Sequence, residues 1–407
     1  VPLSTIQQTV CDWIDGQSAN MRRLVEHVCN INSYTFETPG VDSVREIFKN
    51  EYSQLGDSIA EFEMPDFEIV NDSGEIESVA ISKALQIQKR IDARKKVFLC
   101  IHLDTVFPPT SGFQQCVESS PGILNGPGVV DAKGGAVIML FALKAIEKFS
   151  AANEIGWEVV LNPDEEIGSP SSQEFLKERG KHFDFGLLYE PALPDGTLVD
   201  QRKGSGNFSI IIRGKSVHSG RDFENGRNAI VKAAQFATQL HELNSEFDDV
   251  TINVARMDGG GPFNVVPDLA VVRVNVRVAI AEHQTWFESE LKSLVAKYNS
   301  QDGFFCELHG AFFSPPKVLD PGSVQLKSEI EHSASQVGIS VSWRTTGGVS
   351  DGNKLSSIGL SNIDTLGARG GELHSANESL ILESLVERAK LTAMILMRYS
   401  SGEFSIG

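Results

Sequence analysis

The sequence predicts an α/β protein: a mostly parallel sheet with helices on both faces, split by an inserted unit of different build. Three observations predict it. Apolar, β-branched-rich runs at 97–101, 157–161 and 185–189 read as strands. Helical spacing surrounds them, at Leu24, Val25, Val28, Cys29 and Ile31 and again over 136–149. From Gly204 the order of elements changes, then returns to the first pattern after Pro316.

The run Val97-Phe98-Leu99-Cys100-Ile101 has the look of a central strand. Gly134-Gly135 opens the strongly apolar helix at 136–149, and Trp-Glu-Val-Val-Leu at 157–161 supplies the next strand. Within the inserted unit, strands are expected at 207–213, 250–257, 269–278 and 304–308, with helices at 226–243 and 281–298. Ala270, Val272, Val274, Val276 and Val278 share one face of their strand, and Trp286, Phe287, Leu291, Leu294, Val295 and Tyr298 form one side of the second helix. That β-α-β-β-α-β order is ferredoxin-like. The expected domains are therefore 1–203 with 315–407, discontinuous, and 204–314, bracketed by Gly204-Ser205-Gly206 and Ser314-Pro315-Pro316. A helix, a strand at 340–343 and further α/β elements complete the first domain.

At 407 residues the chain is too long for one ordinary core, and 41% apolar with 22% charged residues is the balance of a globular protein. Against 54 Asp and Glu stand 36 Lys and Arg, a net charge of −18 that argues against nucleic acid or an anionic membrane as partner. No apolar run approaches the roughly 20 residues of a membrane helix. Five scattered cysteines, Cys11, Cys29, Cys100, Cys116 and Cys306, match no zinc knuckle or redox motif, so a reducing compartment is expected. The chain starts Val-Pro-Leu-Ser, without Met or an apolar leader; a cytoplasmic protein is expected, with a removed export signal left open.

Chemistry-bearing residues collect where strands end, which is where open α/β sheets present their sites. Asn162-Pro163-Asp164-Glu165-Glu166-Ile167-Gly168 places two carboxylates side by side after a strand. Neighbouring side chains diverge there, so one suits a cation and the other a proton. Taken alone, it is a solvated acidic turn. His102-Leu103-Asp104 offers an imidazole with a carboxylate to hold its second nitrogen, or simply a satisfied polar pair. The glycines at 126–128 resemble a dinucleotide loop, but Val-Val-Asp-Ala-Lys follows where a third glycine belongs. Asp131 in that tight loop has the chemistry to bridge two cations. Glu190-Pro191 ends the 185–189 strand, and His374 precedes a helix expected near Asn377. Two His and three carboxylates at such positions, plus one unused Glu, suit a two-metal hydrolytic site.

This constellation, in this order, resembles the zinc-dependent aminoacylase, acetylornithine deacetylase and carboxypeptidase G family over nearly the whole chain. His102-Leu-Asp-Thr-Val, Asp131-Ala-Lys-Gly-Gly and Asp164-Glu-Glu are specific in combination. The resemblance implies a zinc-exopeptidase-like fold and two zinc ions per chain, with cobalt or manganese as substitutes. It implies that His102, Asp131 and Glu190 hold one ion and Asp131, Glu166 and His374 the other. Glu165 becomes the general base and Asp104 the orienter of His102. In Gly214-Lys-Ser-Val-His218-Ser-Gly220, His218 matches a residue that reaches a neighbouring subunit's site and helps hold the oxyanion. A homodimer through the inserted domain follows, and a cis peptide between Asp131 and Ala132. Asn264 and Arg277 match substrate-holding positions, and Gly348 lies in the matching Gly-rich loop at 346–351. On the strand pattern Arg277 points away from the apolar face. Asn275 stands where the family usually has an acid, which puts local salt bridging at Arg277 in doubt.

The expected function is hydrolysis of an amide bond beside a free carboxylate, as by a glutamate carboxypeptidase. An N-acyl amino acid deacylase is the alternative, and the expected substrate is a small peptide or N-acyl amino acid. From other classes, a non-catalytic binding relative has no need of Glu165, and the broken glycine pattern disfavours a dinucleotide-dependent oxidoreductase.

Overall fold

The computed structural model describes residues 2–406. Its centre is a six-stranded sheet in the order Ser58–Phe62, Ala84–Lys89, Ile155–Asn162, Lys95–His102, Phe185–Leu188, Asn362–Ile363. Lys95–His102 pairs in parallel with both neighbours, and Phe185–Leu188 in parallel with Asn362–Ile363. At the other edge Ala84–Lys89 pairs antiparallel with both its neighbours, Ser58–Phe62 and Ile155–Asn162.

Both faces of the central strand are buried. Val97, Leu99 and Ile101 join the core containing Leu140 and Met394 from the helices Gly134–Lys148 and Glu383–Ser401. Phe98 and Cys100 pack with Leu176 and Leu355 from Gln173–Gly180 and Asp351–Ser357. Two-sided burial explains why this strand reads as one unbroken apolar run. Gly134–Lys148 is itself buried almost all round, and Gly135 permits that depth: a Cβ there would lie 2.0 Å from the Tyr189 carbonyl oxygen. The helix thus packs directly against the chain that leads into Glu190. No helix among the described residues is long and apolar enough to cross a membrane.

A second sheet is wholly antiparallel, in the order Thr251–Gly259, Leu269–Val278, Gly204–Arg213, Phe305–Ser314. Together with Ala229–Glu242 and Ala281–Asn299 it builds a core of its own from residues 208 to 306. Val272, Val274, Val276 and Val278 face that core, which leaves Arg273, Asn275 and Arg277 on the open face. Phe305–Ser314 runs six residues beyond the expected 308 to reach the first domain again.

Three departures from the sequence reading bear on the site. The expected helix near Asn377 is replaced by a short strand, Ser379–Ile381, and the helix starts at Glu383. Ser379–Ile381 pairs with Ile123–Asn125, a long-range contact that outweighs local propensity and brings the His374 loop over the Asp131 loop. The expected strand at 340–343 forms at Trp343–Thr346, where it pairs in parallel with Leu198–Arg202. Finally, a hairpin of Phe67–Val70 and Ile76–Val79 lies across the open face of the second sheet. Arg273 Nη1 donates to the Val70 carbonyl at 2.7 Å and Arg213 Nη2 to that of Gly74 at 2.9 Å.

Candidate metal centre

Three strand ends and two loops converge on a single point. His102 ends its strand in register with Asn162, so the imidazole and the acidic turn after Asn162 emerge at the same height. His102 is fully buried. Its Nδ1 faces Asp104 Oδ1 at 3.3 Å, while Nε2 faces Asp131 Oδ1 at 3.1 Å and Glu190 Oε2 at 3.8 Å. The second imidazole, His374, turns its Nε2 to Asp131 Oδ2 at 3.4 Å and Glu166 Oε2 at 3.2 Å. Each oxygen of Asp131 therefore addresses a different histidine. His102, Asp131 and Glu190 form one group, and Asp131, Glu166 and His374 a second, each with donor atoms within 4.8 Å of one another.

The surroundings hold these donors in place. Asp104, fully buried, accepts from the backbone N–H of Glu165 at 3.1 Å and of Glu166 at 3.2 Å, and from Thr35 Oγ1 at 2.7 Å. One carboxylate thus steadies both His102 and the acidic turn. Glu378 does the same for the Asp131 loop, accepting from the N–H groups of Gly128, Val130 and Asp131 at 3.2, 3.0 and 3.1 Å. Gly128 turns the loop at φ 71°, and the Asp131–Ala132 peptide is cis.

Electrostatically the cluster asks for a cation. Burial first, then the charge of Glu190, pushes the Glu165 carboxyl well above its usual range. Glu166 is pushed up to about 8 by burial and by Asp131. The His374 imidazole rises to about 10 through Asp131 and Glu166, and burial of Asp131 is outweighed by the two imidazoles, which keep it ionised. Several buried carboxylates held apart by only two imidazoles are a charge imbalance that divalent cations offset. Mixed imidazole and carboxylate donors fit zinc, with cobalt and manganese as the other first-row candidates.

The centre opens into a cleft of about 410 Å³ lined by Asp131, Glu165, Glu166, Glu190, Arg277, Gly348 and His374 among others. Arg277 donates through Nε to Asn275 Oδ1 at 3.1 Å and through Nη1 to the Gly347 carbonyl at 3.4 Å. The doubt over Asn275 is resolved in that direction: an amide oxygen orients the guanidinium where a carboxylate was missed. Sequence reasoning overlooked Arg202, which also lines the cleft. It forks onto Asp364 at 2.8 and 3.0 Å and donates to the Gly348 carbonyl at 3.2 Å. Lys317 Nζ and Ser350 Oγ share Asp364, at 2.8 and 2.9 Å. The only local sign was a basic pair, Arg202-Lys203, before Gly204.

Two expected site residues are elsewhere. His218 and Asn264 are exposed, lie next to each other through a Ser219 N–H to Asn264 carbonyl bond of 2.9 Å, and do not line the cleft of their own chain.

Residues 98–398 match the model of peptidase family M20/M25/M40. The chain belongs to that family. Membership places it among hydrolases. Carboxypeptidase G2 of Pseudomonas sp. (strain RS-16) is 26% identical over 283 residues, covering 69% of this chain and 64% of that protein. Against that relative the chain therefore spans less than two thirds of the length. A succinyl-diaminopimelate desuccinylase of Pseudoalteromonas translucida (strain TAC 125) is 25% identical over 303 residues, 71% of this chain and 77% of that one. The family fold recurs in a tripeptidase from Staphylococcus aureus, with a TM-score of 0.73 at 21% identity over 94% of this chain and 99% of that one.

Proposed function

We propose that the chain is a two-metal amidohydrolase that cuts an amide bond beside a free carboxylate, in the manner of a glutamate carboxypeptidase. The observation that carries this reading is the sharing of Asp131 between two His–carboxylate groups, with Glu165 beside them and committed to neither. In this reading His102, Asp131 and Glu190 hold one zinc ion, and Asp131, Glu166 and His374 hold the other. When bound, the ions supply Lewis-acid polarisation of the carbonyl and acidify water. Glu165 takes the proton of the attacking water and hands it to the leaving amine. Asp104 keeps the His102 ring aimed. Arg277, oriented by Asn275 beside Gly348, receives the substrate carboxylate, the pairing that guanidinium geometry favours.

His218 and Asn264 take their part from a second copy of the chain. Supporting this are their exposure, the open edge of Thr251–Gly259, and the fully exposed ring of Phe263 beside Asn264. His218 would then donate to the oxyanion in its partner's cleft. The desuccinylase relative favours a second reading, an N-acyl amino acid deacylase, which uses the same chemistry on a different acyl group.

The test is an assay of dipeptides and N-acyl amino acids with protein stripped by chelator and reloaded with zinc. Turnover of C-terminal glutamate amides that vanishes on stripping and returns with zinc is the expected result. Turnover confined to acetyl or succinyl amino acids selects the deacylase, and turnover indifferent to stripping overturns both.

A further inference from the structure

We propose that a pocket of about 350 Å³ at the junction of the two domains is an oxyanion site, built to take a phosphate group either free or on a small ester. It stands whether or not the catalytic cleft hydrolyses an amide. Arg202, Lys203, Lys317 and Arg344 line it, and no acid among the described residues does. The chain as a whole carries 54 Asp and Glu against 36 Lys and Arg. Four cations around one hollow without an acid reverse that prevailing charge, which is what draws in an anion.

The path of the chain brings the four together. Leu198–Arg202 runs in parallel beside Trp343–Thr346, while Arg202 also bridges Lys317 through paired backbone bonds of 3.0 and 2.9 Å. At 201–203 the chain leaves the first domain for the strand Gly204–Arg213, and at Lys317 it has returned from Phe305–Ser314. Side chains from the outgoing segment, the returning segment and the Trp343–Thr346 strand therefore meet in one pocket. It adjoins the catalytic cleft, since Arg202 and Thr346 line both, but none of the metal-type donors lines it.

Their own contacts leave charge and donors over. Arg202 and Lys317 are buried and share a single carboxylate, Asp364. An ammonium has three donors, and Asp364, at 2.8 Å, is the one partner of Lys317 Nζ among the described residues. Burial holds that ammonium below its ordinary pKa in spite of Asp364, so a further anion is stabilising there. Lys203 Nζ donates to the Asp249 carbonyl at 2.8 Å and meets no carboxylate. Arg344, which is exposed, has no ion pair or side-chain hydrogen bond among the described residues. The other acids whose charge reaches these groups, Glu165, Glu190, Asp195 and Asp320, line the pocket nowhere. A phosphate dianion offsets the surplus, and its oxygens match the guanidinium fork of Arg344. Gln201 and Thr345, also in the lining, add neutral donors.

The experiment is calorimetry of inorganic phosphate and of glycerol phosphate on the zinc-loaded full chain. It is repeated on Arg344→Gln, on Arg344→Gln combined with Lys203→Gln, and on Arg277→Gln, whose change lies in the catalytic cleft. One phosphate group per chain is expected in the pocket. Arg344→Gln should weaken it about tenfold, the worth of one charge-assisted hydrogen bond, and the double variant further. Arg344→Lys, which keeps the charge, should retain more of the affinity than Arg344→Gln, and Arg277→Gln should leave it unchanged. Whichever of the two ligands binds tighter identifies the source of the group. Melting in phosphate-free buffer shows that the variants fold, and phosphate should raise the melting temperature of the parent but not of the double variant. Phosphate held by zinc or by the cleft behaves in the opposite way, persisting unchanged in the double variant or disappearing in Arg277→Gln. Either of those results, or no saturable binding at millimolar phosphate, overturns the site.

Discussion

Glu165 and Glu166 are adjacent in sequence yet face different surroundings, on a turn pinned at both backbone N–H groups by Asp104. Glu166 is delivered to His374, and Glu165 is left without a hydrogen-bonded partner for its carboxylate among the described residues. Replacing Glu165 with Gln should keep the metal content unchanged and lower turnover by about 10² to 10⁴, the usual worth of a general base. Metal analysis beside a steady-state assay checks both halves. Asp364 gives a second prediction. Burial opposes its charge, but Arg202 and Lys317 outweigh burial and hold the carboxyl well below its ordinary range. A depressed acid stabilises the fold fully above its unfolded pKa and loses that contribution only as pH falls through the lower folded value. Its contribution should thus be intact from neutrality down to about pH 4 and fade in stronger acid. Asp364→Asn, which strands two buried cations, should destabilise the protein by about 3–5 kcal/mol at neutral pH in denaturant unfolding. The metal-type donors were legible because His and carboxylates at strand ends have few other uses in combination. Glu378 was not: it serves N–H groups 247 to 250 residues away, and nothing local marks a carboxylate as an acceptor for a distant loop.

At the scale of elements, legibility followed burial. Lys95–His102, covered on both faces, and Leu269–Val278, covered on one, carry the continuous and alternating patterns that those environments impose. Ser58–Phe62 and the Phe67–Val79 hairpin carry neither, being short and mostly half-exposed, and sequence reading passed over them. The Asn377 helix failed for a different reason: Ser-Ala-Asn-Glu imitates a helix start, but pairing with Ile123–Asn125 commits the chain to a strand. The apolar helix Gly134–Lys148 begins where the Asp131 loop ends and so anchors that loop. Leu140→Ala at its fully buried centre should cost about 2–5 kcal/mol, read as a lower denaturant midpoint with an unchanged slope.

For the whole molecule, one chain assembles two groups of metal-type donors and a cleft lined by Arg277 but leaves His218 and Asn264 on its surface. Their motifs were legible; their distance from the cleft was not, because a sequence pattern does not say which copy of a chain a loop serves. If two copies exchange His218, mixing inactive Glu165→Gln with inactive His218→Ala should restore part of the activity. One cleft of each mixed dimer then carries both defects and the other neither. Demonstrated subunit exchange without recovery would remove His218 from the partner's cleft. All of this depends on Asp131 serving both metal groups. The direct measurement is the number of zinc ions bound per chain, by equilibrium dialysis and metal analysis, for the parent protein and for Asp131→Ala. Two ions in the parent and fewer than one in the variant is the predicted result, since both groups lose a donor together. A parent that binds a single ion, or a variant that keeps two, would contradict the account.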